Sequence, residues 1–404
     1  MTVRFGLWAK LIAPWALAAM LGGCVAGPAP RNYSGAAWMP EQEGPRNPAP
    51  QCLGQPSAPP ENFLSGQEIP ARMLRDAPVL LAPGDRLRIA VVGDSDDISG
   101  VYVIGKGGVL DLPGLAPVAA RALTVRALEA RLREALLRAR LVQPLARVVE
   151  VRLIESGGVS VSVSGAVFQP GTVRAGERAS EDRVGQREGM ASGDDNPGRT
   201  LSTALRAAGG IRPDADIHRI YLVRGGQWAR IDLGNTLTGA GLAEVQLTVG
   251  DRIFVASTGC FNEKLVRPSA VTAPGIRVFM SNLSRSAASN ASAAIGKETT
   301  SLPYGTRFLQ GLVSANCVGG SAMNAHRRAV LISRNPVNGR SIVVERKVEE
   351  LVRGADRDAW DPFLMPGDAI ACYDSRAMNF RDAVTTLGDA IGAATPALLL
   401  EKGL

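Results

Sequence analysis

Five cysteines, two histidines and a scatter of acids are the residues of this 404-residue chain whose types could do chemistry. Cys24 stands out by its setting. It ends the stretch "WALAAMLGGC", so a thiol nucleophile sits behind small residues at the close of an apolar run. The remaining cysteines, Cys52, Cys260, Cys317 and Cys372, are widely spaced and form no C-x-x-C. With only His218 and His326 besides, no metal is expected, because a zinc site needs clustered Cys and His ligands. Asp94, Asp96 and Asp97 lie close together in "GDSDDISG", but their spacing is not that of a calcium loop, and a polar loop is expected. No G-x-S-x-G, no phosphate-binding loop and no acid pair suited to glycoside cleavage is present. Neither a catalytic group nor a cofactor is therefore expected.

Residues 1–23 have the plan of a secretory signal. Arg4 and Lys10 give a positive start, and Leu11 to Leu21 is apolar. That run is about half of the roughly 20 residues that a membrane-crossing helix needs, so it reads as removable. Leu21-Gly22-Gly23-Cys24 then resembles the bacterial lipobox. The resemblance implies that the Cys24 thiol receives a diacylglycerol, the chain is cut before it, and the new amine is acylated. Several acyl chains anchor far more firmly than one. Val25 follows, and the lack of Asp there implies sorting to the outer membrane, with most of the protein in the periplasm.

Composition bounds the rest. At roughly 100–200 residues per domain, the length suggests two to four domains. Apolar residues make up 46%, enough for buried cores, whereas 45 glycines and 26 prolines favour turns and short strands over long helices. The formal charge of +7 comes from scattered basic residues, with no run of Lys and Arg interleaved with aromatics, so nucleic acid is not an expected partner. An exported chain sits where disulfides persist, but four cysteines allow three pairings and spacing alone does not choose.

Residues 24–74 are rich in Pro and Gly and read as an extended tether, with Cys52 as a point where it could be pinned. Alternation begins at Leu87, Ile89 and Val91 after the turn Pro83-Gly84-Asp85. Val101 and Val103 share a strand face, and a glycine turn at 105–108 leads to a further strand. "TVRALEARLREALLRARL" is a helix, with Thr124 as its N-cap, Leu128, Leu132 and Leu136 as its apolar stripe, and Pro144 as its stop. "ARVVEVRLIES" alternates again. Residues 159–176 read as a hairpin that includes Gly165 and turns at Pro170-Gly171. Residues 180–199 hold almost no apolar side chains and read as a solvated loop.

A short helix before Gly209-Gly210, a hairpin around Gly225-Gly226 and the strand after Gly250-Asp251 follow. That series recurs: "LPYGTRFLQGLVSANCVGG", then a hairpin turning at Asn335 to Gly339, then "LMPGDAIACYD" with Pro366-Gly367-Asp368. His218 and His326 occupy matching places in the two copies, which explains them without a shared site. A second low-complexity loop, 284–299, matches the first. In the tail, Val384, Leu387 and Ile391 form one helical stripe, with Pro396 beyond them.

"PGDRLRIAVVGDSDDISGVYVIGKGGVLDLPGL", the helix, and "PLARVVEVRLIE" together resemble the polysaccharide biosynthesis/export domain, with Ser99, Gly100, Tyr102 and Val103 matching one of its strands and Leu112 to Leu115 its L-P-G-L. "VSVSGAVFQPGTV" with "LRAAGGI" and "VGDRIFV" resembles a soluble-ligand-binding β-grasp domain, and 302–374 a diverged second copy in which "GIRVFMSN" replaces the first hairpin. The whole resembles an outer-membrane polysaccharide export lipoprotein. The expected fold is α+β: an export domain over 75–156, β-grasp units over 157–258 and 259–375, and an amphipathic C-terminal helix over 376–404.

The resemblance implies a ring of eight copies around an aqueous lumen that exports capsular or exopolysaccharide. It also implies an inner-membrane co-polymerase, often a tyrosine autokinase, as partner, and a tail that crosses the outer membrane. The alternative is a glycan-binding lipoprotein that forms no pore. Cys260 and Cys317 flank the start of the second repeat and its loop and are expected to pair, leaving Cys52 with Cys372.

Overall fold

The computed structural model describes residues 52, 54–94, 98–144, 148–177, 196–241, 244–282, 301–315, 317–318, 327–335, 339–354 and 357–373. Cys24, Asp96, Asp97, His326 and the tail residues Val384, Leu387 and Ile391 lie outside them. The fold is α+β, with several small sheets and few helices. Chain contacts divide it into two compact units, one over Pro50–Pro274 and one from Gly275 onward.

The larger unit begins with a segment that composition reads as tether. Residues 54–75 are packed instead. Ile69 and Leu74 enter the core, and the short strand β1 (Gln67–Glu68) joins a sheet. The physical reason is that its few apolar side chains find partners, and burying each contributes roughly 1.5–3 kcal/mol.

The export-like part follows. Strands β2 (Arg86–Val91), β3 (Gly100–Val103) and β6 (Val149–Glu155) form a sheet in the order β3-β2-β6, and β4 (Val109–Leu110) pairs with β5 (Val118–Ala119). Strand β2 alternates buried Leu87, Ile89 and Val91 with outward Arg88 and Ala90, as a strand with one wet face must. The helix Val125–Arg138 covers the inner face with Leu128, Leu132 and Leu136, all fully buried. Thr124 caps it by accepting from the Ala127 N–H at 3.1 Å. The helix stops six residues short of Pro144. Arg140 turns left-handed (φ 58°) and the Leu141 N–H reaches the Leu136 carbonyl, which closes the last turn before proline is met.

The second sheet of this unit runs β1-β10-β9-β11-β7-β8, from β7 (Val159–Gly165), β8 (Gly171–Ala175), β9 (Ala215–Arg224), β10 (Gln227–Ile231) and β11 (Arg252–Ser257). The helix Leu201–Ala207 packs on it through Leu201, Ala204 and Leu205. Gly165 turns left-handed (φ 87°) against β11, where an added Cβ would stand 2.1 Å from the Val255 carbonyl oxygen. Pro170 lies exposed between the hairpin strands β7 and β8.

In the C-terminal unit, β12 (Gly275–Arg277) pairs with β14 (Ser301–Pro303). Strands β13 (Phe279–Asn282), β15 (Arg328–Arg334), β16 (Ser341–Lys347) and β17 (Ala369–Tyr373) form a sheet in the order β13-β17-β15-β16. The helix Phe308–Ser314 contributes buried Phe308 and Leu312. The core of the sheet β13-β17-β15-β16 repeats that of β7-β11-β9-β10: an outer strand parallel to the next, then two antiparallel pairings.

The disulfides correct the expected pairing. Cys52 joins Cys260, and Cys317 joins Cys372. Residues 52–57 run antiparallel to 257–260, with bridges Cys52↔Cys260 and Ser57↔Ser257, so the start of the packed segment lands beside the end of β11. Cys372 points inward from β17 to Cys317, and both are fully buried. Each bond closes within one unit. The expected pair Cys260 and Cys317 flanks the start of the second repeat and its loop, but strand pairing brings Cys260 to Cys52, and Cys372 meets Cys317 instead.

Candidate functional site

The turns at Gly84-Asp85, Gly250-Asp251 and Gly367-Asp368 adopt one geometry. Gly84, Gly250 and Gly367 take φ of 93°, 89° and 85°, a region that only glycine enters without strain. The aspartate after each folds back onto the backbone. Asp85 accepts from the Ala82 N–H, Asp251 from the Thr248 N–H and Asp368 from the Met365 N–H, each at 2.8 Å. All three carboxylates are buried, and burying a charge is costly unless it is paired.

Their partners differ. Asp251 receives both Nε and Nη2 of Arg224, at 2.9 and 2.7 Å. Asp85 accepts from the Gly157 N–H at 2.7 Å and stands 3.7 Å from Arg199. Asp368 has no basic partner among the described residues. Ser333 takes the place that Arg224 holds in the first repeat, because Val223 faces Arg252 as Ile332 faces Ala369. Burial pushes the Asp368 carboxyl up to about 6, against the opposing hydrogen bonds from Met365 and Ser333. Burial likewise raises Asp361, against the Leu309 N–H and Arg307.

Arg199 is the residue that sequence reasoning missed. It ends a stretch that reads as a solvated loop, yet it is 1% exposed. Its guanidinium donates to the Leu247 carbonyl, the Ser156 hydroxyl and the Leu80 carbonyl at 2.8–3.1 Å. Asn196, also buried, donates to the Ser156 and Gly176 carbonyls. The two side chains tie the export-like part to the sheet that follows it. They make a rigid joint, centred on Asp85, rather than a reaction site. Polar residues just before a helix N-cap were the available signal: Thr200 caps the helix Leu201–Ala207.

The other motif residues are also structural. The Ser99 hydroxyl accepts from the Val91 N–H, and the Tyr102 hydroxyl donates to the Ile98 carbonyl. Asp94 accepts from the Ile98 and Ser99 N–H groups. His218 pairs with Asp232 on the surface, 2.9 Å apart. Among the described residues no three Cys, His, Asp or Glu side chains gather as metal ligands, and no helix is long and apolar enough to cross a membrane.

What remains open to a ligand is the outer face of the sheet β3-β2-β6. Val101 and Val103 are exposed there, and Arg88 stands directly opposite Arg152. Arg152 is neutralised by Glu150, and Arg88 forms no ion pair among the described residues. Such a face presents a cation beside apolar side chains.

The part that opens with the PGD turn is thus a small sheet backed by one helix, followed by repeated β units. Residues 75–153 match the family model of the polysaccharide biosynthesis/export protein. Over that stretch the chain is similar to the polysaccharide export domain that its sequence resembles, and the matched family is one of export. The match takes in Asp85, the sheet and the helix, and stops just before Glu155 and Ser156 at the joint. No curated protein matches the chain.

Proposed function

We propose that this protein is a lipoprotein, anchored in the outer membrane through Cys24, whose copies assemble into a ring that passes capsular or exopolysaccharide across the periplasm and outer membrane. The observation that carries the reading is the export domain at 75–153. The lipobox resemblance at Cys24 supplies the address. The ring holds eight copies, and an inner-membrane co-polymerase of the tyrosine autokinase type delivers the glycan. The tail containing Val384, Leu387 and Ile391 crosses the outer membrane.

The joint at Arg199 supports a passive passage. It holds the export domain against the following sheet through buried hydrogen bonds. Small lateral α/β units suit closed cyclic assembly. The test is extraction in mild detergent followed by native mass measurement, together with surface-glycan assay of a deletion strain. The reading expects a particle of several hundred kilodaltons and loss of surface polysaccharide. A single-copy particle that still binds soluble glycan would instead make it a glycan-binding lipoprotein.

A further inference from the structure

The two repeats differ in how their sheets end. In the larger unit both edges of the shared four-strand core are capped. Strand β8 covers β7, and β1 covers β10 in parallel, Gln67 against Gln227. The outer face is covered as well. Phe63 lies on Phe254, with ring centroids 5.6 Å apart, and the Arg252 guanidinium sits 5.1 Å above the Phe63 ring. Phe254 is thereby left only 8% exposed.

The C-terminal unit has the same core and none of these covers among the described residues. Neither β13 nor β16 has an outer neighbour there. The register places Phe279 beside Ala369, Ala369 beside Ile332, and Ile332 beside Val343, one apolar row across all four strands. Phe279, Ile332 and Val343 are 64%, 45% and 66% exposed, and Ile342 on the same edge strand is 53% exposed. The opposite face, with Leu331, Ile370 and Cys372, is buried, so the row is the outward one. A seven-residue edge strand with Ile, Val and Val in sequence is a template for pairing unless something covers it.

We propose that a second copy of this chain covers it: β16 of one copy pairs with β13 of the next, so that the C-terminal units join edge to edge into a continuous sheet. Direction favours this partner. Strands β13 and β16 both run parallel to β17, so a neighbour related by a simple rotation presents its β13 alongside β16 in parallel. A two-fold dimer through β16 would leave β13 bare. Only a head-to-tail contact uses both edges in every copy, and such a contact builds a ring when its rotation closes, as the proposed ring requires. With Phe279 of the neighbour beside Val343, the apolar row runs on unbroken. The four residues of β13 carry no charge to oppose Glu345, which is already paired with Arg328.

The inference rests on the ring reading, and its test separates the two. Full-length protein is extracted in mild detergent and its native mass measured for wild type, Val343→Lys, Phe279→Glu and the double variant. Either single substitution should reduce the ring to single copies, and the double, which sets opposite charges across the contact, should restore it. Rings that survive both single substitutions would overturn edge pairing and leave the ring reading intact. A wild type of single-copy mass would overturn both. Should a variant misfold, a photo-crosslinking amino acid at position 343 of the otherwise native chain decides. It should capture residues 279–282 of another copy. Capture of the chain's own residues before 52 or after 373, or of a different protein, overturns the proposal.

Discussion

Asp368 makes the C-terminal unit sensitive to pH in a direction opposite to that of most carboxylates. Its carboxyl is raised from an ordinary 3.8 to about 6 by burial, with no cation beside it among the described residues. A folded value above the unfolded one means that the native state holds the proton more tightly. This group's contribution is therefore fully present below about pH 4 and is lost as pH rises through about 6. The difference of roughly two pH units corresponds to about 3 kcal/mol. Asp361, also raised by burial, acts in the same direction, so the wild-type curve carries both. Asp368→Asn isolates the one. It still accepts the Met365 N–H but cannot ionise, and it should be about as stable as wild type at about pH 3.5 and up to about 3 kcal/mol more stable at pH 7.5. Ser333→Arg should achieve a similar gain at neutral pH by supplying the cation that Arg224 gives Asp251. Pulse proteolysis of the full chain across a urea series, with the C-terminal fragment identified by mass, measures this unit alone. Equal wild-type and Asp368→Asn midpoints at pH 7.5 would refute the reasoning, as would a wild-type advantage that grows with pH.

Arg199→Leu leaves Asp85 and the Leu80 and Ser156 acceptors without their buried donor, and should cost about 3–5 kcal/mol in urea unfolding of the larger unit. Cys24→Ser should leave an unprocessed precursor without lipid, read by mass spectrometry of the membrane fraction. Opening Cys52–Cys260, which closes a separation of 208 residues, should cost about 5 kcal/mol in the chain-entropy account, and opening Cys317–Cys372, at 55, about 4; non-reducing peptide maps should show these two pairs and no other. Truncation after Asp374 should abolish export while sparing lipidation and assembly, and a tag after Leu404 should be reachable by antibody on intact cells.

The elements legible in the sequence were those whose signal is local. Alternation at Leu87, Ile89 and Val91, the Leu128-Leu132-Leu136 stripe and the GD turns each depend on residues within a turn or two, and each stands where the pattern puts it. What was not legible depends on partners far along the chain. Arg199 and Asn196 look like solvent-facing residues because polarity is their only local property. They are buried because Leu80, Ser156 and Leu247, up to 119 residues away, accept their protons. The packed segment 54–75 fails as a tether for the same reason. Its Pro and Gly content is a local property, whereas Ile69, Leu74 and the pairing beside Cys260 are not. The cysteine pairing follows strand topology, which spacing does not encode.

The two repeats, compared with each other, show where the remaining irregularity lies. Where the first copy has Arg224, β8, β1 and Phe63, the second has Ser333 and, among the described residues, two open edges and an apolar row. Sequences that specify one structure keep local propensity, polar pairing and edge protection in agreement, and departures concentrate where a protein functions. Among the described residues the departures are of three kinds, a buried carboxylate without a cation, open edges and exposed Phe279 and Val343, and all fall on or next to the sheet β13-β17-β15-β16. Random loss of stability would spread over both faces, yet the inward face of the same sheet keeps Ala329, Leu331, Ile370 and Cys372 buried at 2% exposure or less. Among the described residues this sheet retains its core while one face and both edges stay uncovered, which is the arrangement that the proposed pairing between copies requires.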